Sequence, residues 1–537
     1  MKKKRNRLFA RVLSFAILSV FLAGCGGNSG NSVKGNDSAQ SVEGGNNIAI
    51  YSTYDMPALG IDPSVCFNSS ILSLLNIYDT LLRYDSETDS VEYVACDKYE
   101  KSEDGLLWTF HIRENMKFHD GTPVNAEAVK FSFERTINMG KGAAFIWEPV
   151  DSFEVKDEQT LVMHLKYPAP MDLTVSSSYG AYIMSPAVGD AGEEFFAGTK
   201  DAGSGAYYIA DRTGDTQLVL AAFEDYWNPW PDNHFDRVVL TQSAESSTRR
   251  QMLESGEVDF VSELPAEDNE ALVSNEKLKE VKTKSFENMM ILINTQKGPL
   301  QDKRVRQALN YAFPYEDVIS YVMNGNASQS HGPVPEGLWG HSEDVLQYKH
   351  DLNKAKELLK EAGYSDGGFS LEITYITGDE IERKSAELYQ SELNKLGITL
   401  NIRPVTSDMS VETGQNPDPT KRQDMAFMFW YPDVPSPYTF LYSMYHQADP
   451  ISWNWTYLED DEFDKVIDDA NILAGTDRDA ASAQFVDAQN YIMEEACSIN
   501  IFDKVYDCIY NGSVGGFKGI DPSYPQTVFF HECYRIK

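Results

Sequence analysis

The residue best placed to do chemistry is Asp433, in the segment Trp-Tyr-Pro-Asp-Val-Pro-Ser-Pro-Tyr of residues 430–438. The apolar residues 425–430 before it predict a buried strand, and in α/β sheets ligands bind beyond the carboxyl ends of strands. Three prolines restrict the loop and pre-organise whatever it binds. We therefore expect Asp433 to contact a ligand at this strand end. The alternative is an aspartate that bonds the backbone of its own loop.

Other reactive residues form no catalytic or metal-binding pattern. His119 adjoins Asp120, but Asp-Gly-Thr-Pro is the sequence of a tight turn. Ser204 lies between two glycines without the Gly-x-Ser-x-Gly spacing of a hydrolase. The nine histidines form no HExxH motif, and the acidic residues 459–465 lack the glycine and terminal glutamate of an EF-hand loop. We expect no catalytic residue, no metal site and no cofactor.

The N-terminus carries a targeting segment. Six lysines and arginines within residues 2–11 precede the apolar residues 12–23, a run too short to span a bilayer and typical of a signal peptide. The sequence Leu-Ala-Gly-Cys that follows resembles a bacterial lipobox, which implies lipidation of Cys25 and stable membrane attachment through acyl chains. The alternative is a secretory signal with a chance cysteine. The polar residues 26–47 read as a flexible tether.

Length, charge and cysteine count indicate how many lobes the protein has, which ligands suit it and whether a disulfide can form. A chain of 537 residues exceeds what one hydrophobic core usually supports, so two or more lobes are expected. Its net charge of −36 argues against nucleic acid and polyanionic ligands. A solvated acidic surface is the commoner reason for such a charge, and a cationic or zwitterionic ligand is the alternative. Beyond Cys25 there are five cysteines, an odd number that allows one disulfide among Cys497, Cys508 and Cys533.

The elements that must position Asp433 are clearest in residues 350–431. Apolar spacing predicts a helix that begins after Asp351 and stops at Gly363. A strand at 370–376, a helix from about Glu382 to Leu396, and strands at 398–405 and 425–430 follow. Strands that alternate with helices predict an α/β lobe.

Residues 108–135 carry the most specific pattern: a strand of alternating polarity, the turn at His119, and a helix opened by Asn125. The segment resembles the signature stretch of bacterial extracellular solute-binding proteins of family 5, which serve peptide, dipeptide and nickel ABC importers. Further blocks along the chain also resemble the family, and they occur in the same order as in its members. They are Ile61-Asp-Pro, Asn76-Ile-Tyr-Asp-Thr-Leu, Gly203-Ser-Gly-Ala-Tyr-Tyr, Phe223-Glu-Asp-Tyr-Trp-Asn-Pro, residues 249–261, Asn294, residues 305–312 and residues 348–363.

The resemblance implies a fold and its domains. The fold is the α/β, type II periplasmic-binding-protein bilobed fold with an additional inserted domain. The implied divisions are a lipoprotein signal peptide at 1–24, the lipidated Cys25 and tether at 25–47, a discontinuous domain I at 48–85, 200–296 and 511–537, an inserted domain II at 86–199, and domain III at 297–510. Such lobes close over a ligand by a hinge motion.

The resemblance also implies a site. In this family an aspartate of a Trp-x-x-Asp motif receives the α-ammonium of a bound peptide, which assigns that role to Asp433 and makes Trp430 and Tyr431 pocket walls. On the first lobe we expect Tyr54, Phe67 and Asn68 to face the cleft. Arg383 and Arg403 are the cations considered as partners of a ligand carboxylate, but both are expected at the solvated surface instead.

The function implied is that of a monomeric, lipid-anchored receptor on the extracytoplasmic face of the bacterial membrane. It would capture a short peptide or similar amine-bearing solute and deliver it to the permease and ATPase subunits of an ABC importer. Two alternatives are a same-fold receptor for a sugar or metal chelate and a secreted hydrolase. A nickel ligand fits less well, because no histidine stands near the Asp433 loop before His446.

Overall fold

The strands and helices lie within residues 47–66 and 70–537, which the computed structural model describes. The strands are β1 Ile48–Thr53, β2 Leu82–Asp85, β3 Ser90–Tyr93, β4 Cys96–Lys101, β5 Leu107–Ile112, β6 Val150–Asp157, β7 Thr160–Leu165, β8 Tyr207–Thr213, β9 Gln217–Ala222, β10 Arg237–Gln242, β11 Phe260–Val261, β12 Leu278–Ile293, β13 Ala327–Gln329, β14 Ser370–Ile376, β15 Thr399–Val405, β16 Met425–Trp430, β17 Ser498–Asn511, β18 Val514–Gly515 and β19 Tyr534–Arg535.

The α-helices are α1 Ile71–Ile77, α2 Ala126–Met139, α3 Met171–Thr174, α4 Ser246–Ser255, α5 Ala266–Leu272, α6 Lys303–Ala312, α7 Tyr315–Asp317, α8 Leu352–Glu361, α9 Glu380–Asn394, α10 Ser407–Gly414, α11 Pro437–Tyr445, α12 Asp461–Ala474 and α13 Arg478–Glu495. Short 3₁₀ turns occur at Ala144–Trp147, Pro186–Val188, Glu193–Phe196, Gly298–Gln301, Pro419–Lys421 and Phe530–Glu532, and a π turn at Val318–Val322.

A mixed sheet of eleven strands organises the molecule, in the order β15-β14-β16-β12-β17-β11-β1-β10-β9-β8, with β13 paired to β17. Parallel pairs occur on both sides of it, β14 with β15 and β16, and β1 with β10 and β11. The two sides are joined at the centre by the long antiparallel pair of β12 and β17. Charged residues of the first half of β12 are mostly accessible, whereas its apolar second half is buried.

The strand of the signature segment, β5, belongs to a separate antiparallel sheet with the order β4-β5-β7-β6. Helix α2 packs beside it, and the tilted rings of Phe133 and Trp147 have a centroid distance of 4.2 Å. The helix begins where predicted, because the Asn125 side chain accepts a hydrogen bond from the backbone N–H of Ala128. The strand-turn-helix prediction for this segment is therefore confirmed.

The α/β pattern of residues 350–431 is also confirmed. Asp351 caps α8 through the N–H groups of Asn353 and Lys354, and β14 and β16 have the predicted bounds. Helix α9 begins two residues earlier than predicted and ends two residues earlier. The start was misplaced because Asp379, whose side chain accepts from the N–H of Glu382, is an N-cap that the apolar spacing did not reveal.

The disulfide left open by the sequence does not form. Cys497, Cys508 and Cys533 are separate buried thiols, and burial raises the pKa of each to about 12. Within the described ranges, the helices include none that is both long and apolar enough to cross a membrane.

The turn at residues 203–205 is a close backbone contact rather than a nucleophile site. The N–H of Gly205 donates to the carbonyl of Ile77 at 2.8 Å, and the N–H of His119 donates to the carbonyl of Gly203 at 2.8 Å. The His119 ring bonds Asp201 at 2.5 Å and the carbonyl of Gly205 at 2.9 Å. His119 therefore pairs with Asp201 and stabilises this turn. Its neighbour Asp120 accepts hydrogen bonds from Thr122 and Ser185 instead.

Replacing Gly203 by alanine is expected to lower the free energy of unfolding by about 3 kcal/mol, since the added methyl must displace packed backbone. A Cβ at this position would lie 1.9 Å from the carbonyl oxygen of Ile77. Urea unfolding at equilibrium measures the change. The control is Gly198→Ala, where a Cβ meets nothing within 4 Å. Equal stability of the two variants would contradict the role of the close contact.

Candidate functional site

A cavity of about 590 Å³ follows the central pair of strands β12 and β17. Its walls include Tyr54 and Arg249 from one side of the main sheet and Asp379 and Phe429 from the other. Ligand pockets commonly fall between roughly 300 and 1,000 Å³, so the space suits a small solute. The cavity is therefore the candidate binding cleft.

Asp433 lies three residues after β16 with 5% of its surface exposed, and neither it nor Trp430 or Tyr431 is among the residues that line this cavity. Its backbone carbonyl accepts hydrogen bonds from Ser177 Oγ at 2.6 Å and from the Tyr524 hydroxyl at 3.3 Å. Within residues 47–66 and 70–537, however, its carboxylate oxygens take part in no hydrogen bond and no ion pair. The bond to its own loop, which was the alternative from sequence, is not formed there. Burial raises the pKa of Asp433 to about 7.

Two aromatic residues precede Asp433: Trp430 is the last residue of β16, and Tyr431 is the first residue after it. The Trp430 ring packs against Trp453 at a centroid distance of 5.6 Å, and its buried Nε1 has no partner among the described residues. The Tyr431 hydroxyl lies 3.5 Å from that of Tyr179. Burial raises the pKa of Tyr431, with Glu287 and Asp433 adding to the effect. Tyr431 is thus close enough to both Asp433 and Glu287 to feel the charge of each.

Of the residues expected on the first lobe, Tyr54 lines the cavity. Its hydroxyl accepts a hydrogen bond from Gln526 Nε2 at 2.6 Å, and its ring lies 5.6 Å from the guanidinium of Arg249. Phe67 and Asn68 fall outside the described residues, as does Cys25.

Sequence reasoning missed a charged group at the centre of the cleft. Lys504 Nζ lies 2.8 Å from Glu263 Oε1 and 3.4 Å from Glu287 Oε2, and the side chains of Lys504 and Glu287 are each 9% exposed. Burial alone would lower the pKa of Lys504, but the two carboxylates outweigh it and raise the pKa. Burial raises the pKa of Glu287, and the nearby ammonium opposes this. A lysine inside the apolar strand β17 was the available signal.

The two arginines considered for a ligand carboxylate are partly exposed, with side-chain exposures of 33% for Arg383 and 36% for Arg403. Arg383 pairs with Glu380 and Glu387 on its own helix, both at 2.6 Å. Arg403 Nε lies 3.1 Å from Glu372 on the neighbouring strand β14. Neither lines the cavity.

A profile of known proteins, described as the middle part of the bacterial extracellular solute-binding proteins of family 5, matches residues 91–451. The chain belongs to this family. A relative from Escherichia coli K12, named as the probable D,D-dipeptide-binding periplasmic protein DdpA, is 30% identical over 469 residues, which cover 85% of this chain and 89% of the relative. Heme-binding protein A of Haemophilus influenzae is 26% identical, with 97% of each chain covered.

A solved structure agrees with the assignment. The periplasmic binding protein DppA of Helicobacter pylori, in complex with the peptide STSA, superposes with a TM-score of 0.76 at 26% identity, over 91% of this chain and 98% of DppA. The α/β, type II periplasmic-binding-protein fold predicted from the sequence is therefore confirmed. The family consists of bacterial extracellular solute-binding proteins.

Proposed function

We propose that this family 5 member captures a short peptide, or a similar amine-bearing solute, in the cleft beside Asp433 and presents it to an ABC importer. The observation that carries the proposal is the Asp433 carboxylate, which is buried without a protein partner in the described structure. A buried carboxylate is costly unless it is paired, and an ammonium group is the partner that fits. The peptide complex of DppA and the dipeptide-binding name of DdpA support the same class of ligand.

Roles follow for the other residues of the site. Asp433 would receive the α-ammonium, with Trp430, Tyr431 and Tyr54 as walls around the ligand and Phe67 and Asn68 at the first-lobe edge. The proposed division remains domain I at 48–85, 200–296 and 511–537, domain II at 86–199 and domain III at 297–510. It is supported by the grouping of β1 and β8–β11 on one side of the central strands and of β14–β16 on the other.

The cellular setting is part of the proposal. Lipidation of Cys25 after removal of residues 1–24 would anchor a monomer to the extracytoplasmic face of the membrane, and residues 26–47 would tether it. Its partners would be permease and ATPase subunits. Metabolic labelling with a fatty acid, compared with Cys25→Ser, tests the anchor.

The ligand class is tested on signal-free protein by thermal unfolding with a library of di- to octapeptides. A ligand at about a hundred times its Kd adds about 2.7 kcal/mol to the native state. We expect peptides with a free amino terminus to raise Tm and their N-acetylated forms to have no effect. Equal shifts from both forms would remove the ammonium role, and no shift from any peptide would overturn the peptide class in favour of a non-peptide solute.

Binding should depend on pH through Asp433. Burial holds its pKa at about 7 in the ligand-free protein, whereas an ammonium partner favours the ionised form. Below pH 7 the carboxyl group must therefore lose a proton before it can bind the ammonium group. The Kd should rise about tenfold for each unit by which the pH falls below 7. The hydroxyls of Tyr431 and Tyr524 stay protonated there, since burial raises the pKa of both. Calorimetric titrations from pH 8 to pH 5 measure the slope, and a flat profile would contradict it.

A further inference from the structure

The walls of the cleft carry more negative than positive charge. Among the described residues, six carboxyl groups line it, those of Glu263, Glu267, Glu287, Asp379, Glu380 and Asp507, against the three cations Arg249, Lys384 and Lys504. A ligand with further positive charge would therefore enter a favourable potential.

Each of the three cations is already engaged. The Arg249 guanidinium donates to the carbonyls of Ser243, Ala244 and Glu263 at 2.8 Å, although its buried Nε has no partner in the described structure. Lys384 lies 3.7 Å from Glu267, and Lys504 is shared by Glu263 and Glu287. The two lysines are thus paired with carboxylates of the cleft, and the Arg249 guanidinium is held by backbone carbonyls.

Glu287 reaches the cleft through an irregularity in β12. Lys284 pairs with Val505 and Asn288 with Asp503, so the three residues between them oppose Lys504 alone. Ser285 Oγ holds this bulge by donating to the carbonyl of Lys504 at 2.7 Å and accepting from the N–H of Glu287 at 3.1 Å. Bulges re-aim side chains beside functional sites, and this one turns Glu287 into the cavity wall.

Two buried polar atoms at this point have no hydrogen-bond partner in the described part of the chain. They are Glu287 Oε2, which has Lys504 Nζ at 3.4 Å as an ion-pair partner, and the Tyr506 hydroxyl oxygen, which interacts electrostatically with Glu287. Both residues line the cavity, and each is 7% exposed. Lys504 offsets one of the two negative charges of Glu263 and Glu287, which leaves one carboxylate charge for a further cation, with the Tyr506 hydroxyl next to Glu287. Buried polar groups are normally hydrogen-bonded, so a donor group of a ligand would supply the hydrogen bond that this cluster lacks.

We propose that Glu287, with Glu263 and the Tyr506 hydroxyl, forms a subsite for a second cationic group of the ligand, such as the side chain of a lysine-, ornithine- or arginine-containing peptide. This inference rests on the proposed function, because it places the first ammonium at Asp433. It deepens that function by selecting basic ligands over neutral and acidic ones.

Alanine tripeptides with lysine, norleucine or glutamate at the second or third position are the probes, titrated calorimetrically into signal-free protein. Norleucine keeps the aliphatic chain of lysine and removes its charge. At one of the two positions, the lysine peptide is expected to bind about 10- to 100-fold more tightly than its norleucine match, as for a buried charge-assisted hydrogen bond. The preference should shrink in Glu287→Gln and in Tyr506→Phe.

The matched control is Glu267→Gln, which removes the same formal charge from a side chain of the cleft that is 69% exposed. It should keep most of the lysine preference. Equal affinity of the lysine and norleucine peptides at both positions, in wild-type protein, overturns the cationic subsite while leaving the proposed function intact. Binding of none of the tripeptides, while a library peptide does bind, would also overturn it, and absence of binding by every peptide contradicts the proposed function itself.

Discussion

Asp433→Asn is expected to weaken the binding of free-amine peptides about 30- to 1,000-fold at about pH 8, the cost of leaving a buried ligand ammonium without its counter-charge. The substitution preserves shape and removes the charge. Because Ser177 and Tyr524 bond only the backbone carbonyl of residue 433, those contacts should survive. Isothermal titration with one library peptide measures the loss. The N-acetylated form of that peptide should not distinguish the variant from wild type.

The same variant should be more stable than wild type when no ligand is present. Burial raises the pKa of Asp433 from 3.8 to about 7, so above pH 7 the folded protein holds a carboxylate charge that the unfolded chain solvates better. The native state therefore loses stability as pH rises from about 4 to 7, and asparagine removes that loss. We expect a gain of about 2 to 4 kcal/mol at about pH 8, and none at about pH 4. The exposed Asp366→Asn should change neither property, and a destabilised, fully binding Asp433→Asn would contradict the assignment.

Arg135→Met is expected to lower the free energy of unfolding by about 3 to 5 kcal/mol, because it leaves a buried carboxylate unpaired. Arg135 on α2 forms a two-point ion pair with Asp62 at 2.7 and 2.8 Å, with side-chain exposures of 6% and 2%. It also donates to Ser64 Oγ at 2.6 Å and to the carbonyl of Ala191 at 2.9 Å. The pair joins the loop after β1 to the signature segment. Denaturant unfolding followed by far-UV circular dichroism measures the change.

The control for this pair is the double variant Asp62→Leu with Arg135→Met. Replacement of both partners by apolar groups removes the uncompensated charge, so most of the lost stability should return. If the double variant were less stable than Arg135→Met, the packing of the two side chains, rather than their charge pairing, would account for the loss. The exposed pair of Lys354 and Glu357 is a second reference, since its removal should cost no more than about 1 kcal/mol.

The sequence by itself determined the local elements and predicted Asp433 as the candidate site residue. Asn125 and Asp351 set the starts of α2 and α8 because a capping side chain bonds backbone N–H groups only two or three residues away. The apolar run of β16 predicted a buried strand, and the prolines after it predicted a rigid loop that carries Asp433. The order of the motif blocks predicted the family and its fold, since each block is a short stretch of local structure.

The tertiary structure alone decided which distant groups meet. His119 bonds Asp201 rather than its neighbour Asp120, and Asp433 is enclosed by Ser177 and Tyr524 from remote parts of the chain. The cluster of Lys504, Glu263 and Glu287 depends on the register of β12 against β17 and on the bulge between them. Register and burial follow from how the whole sheet packs, and a shift of one residue would turn these side chains to the opposite face. No local pattern contains that information.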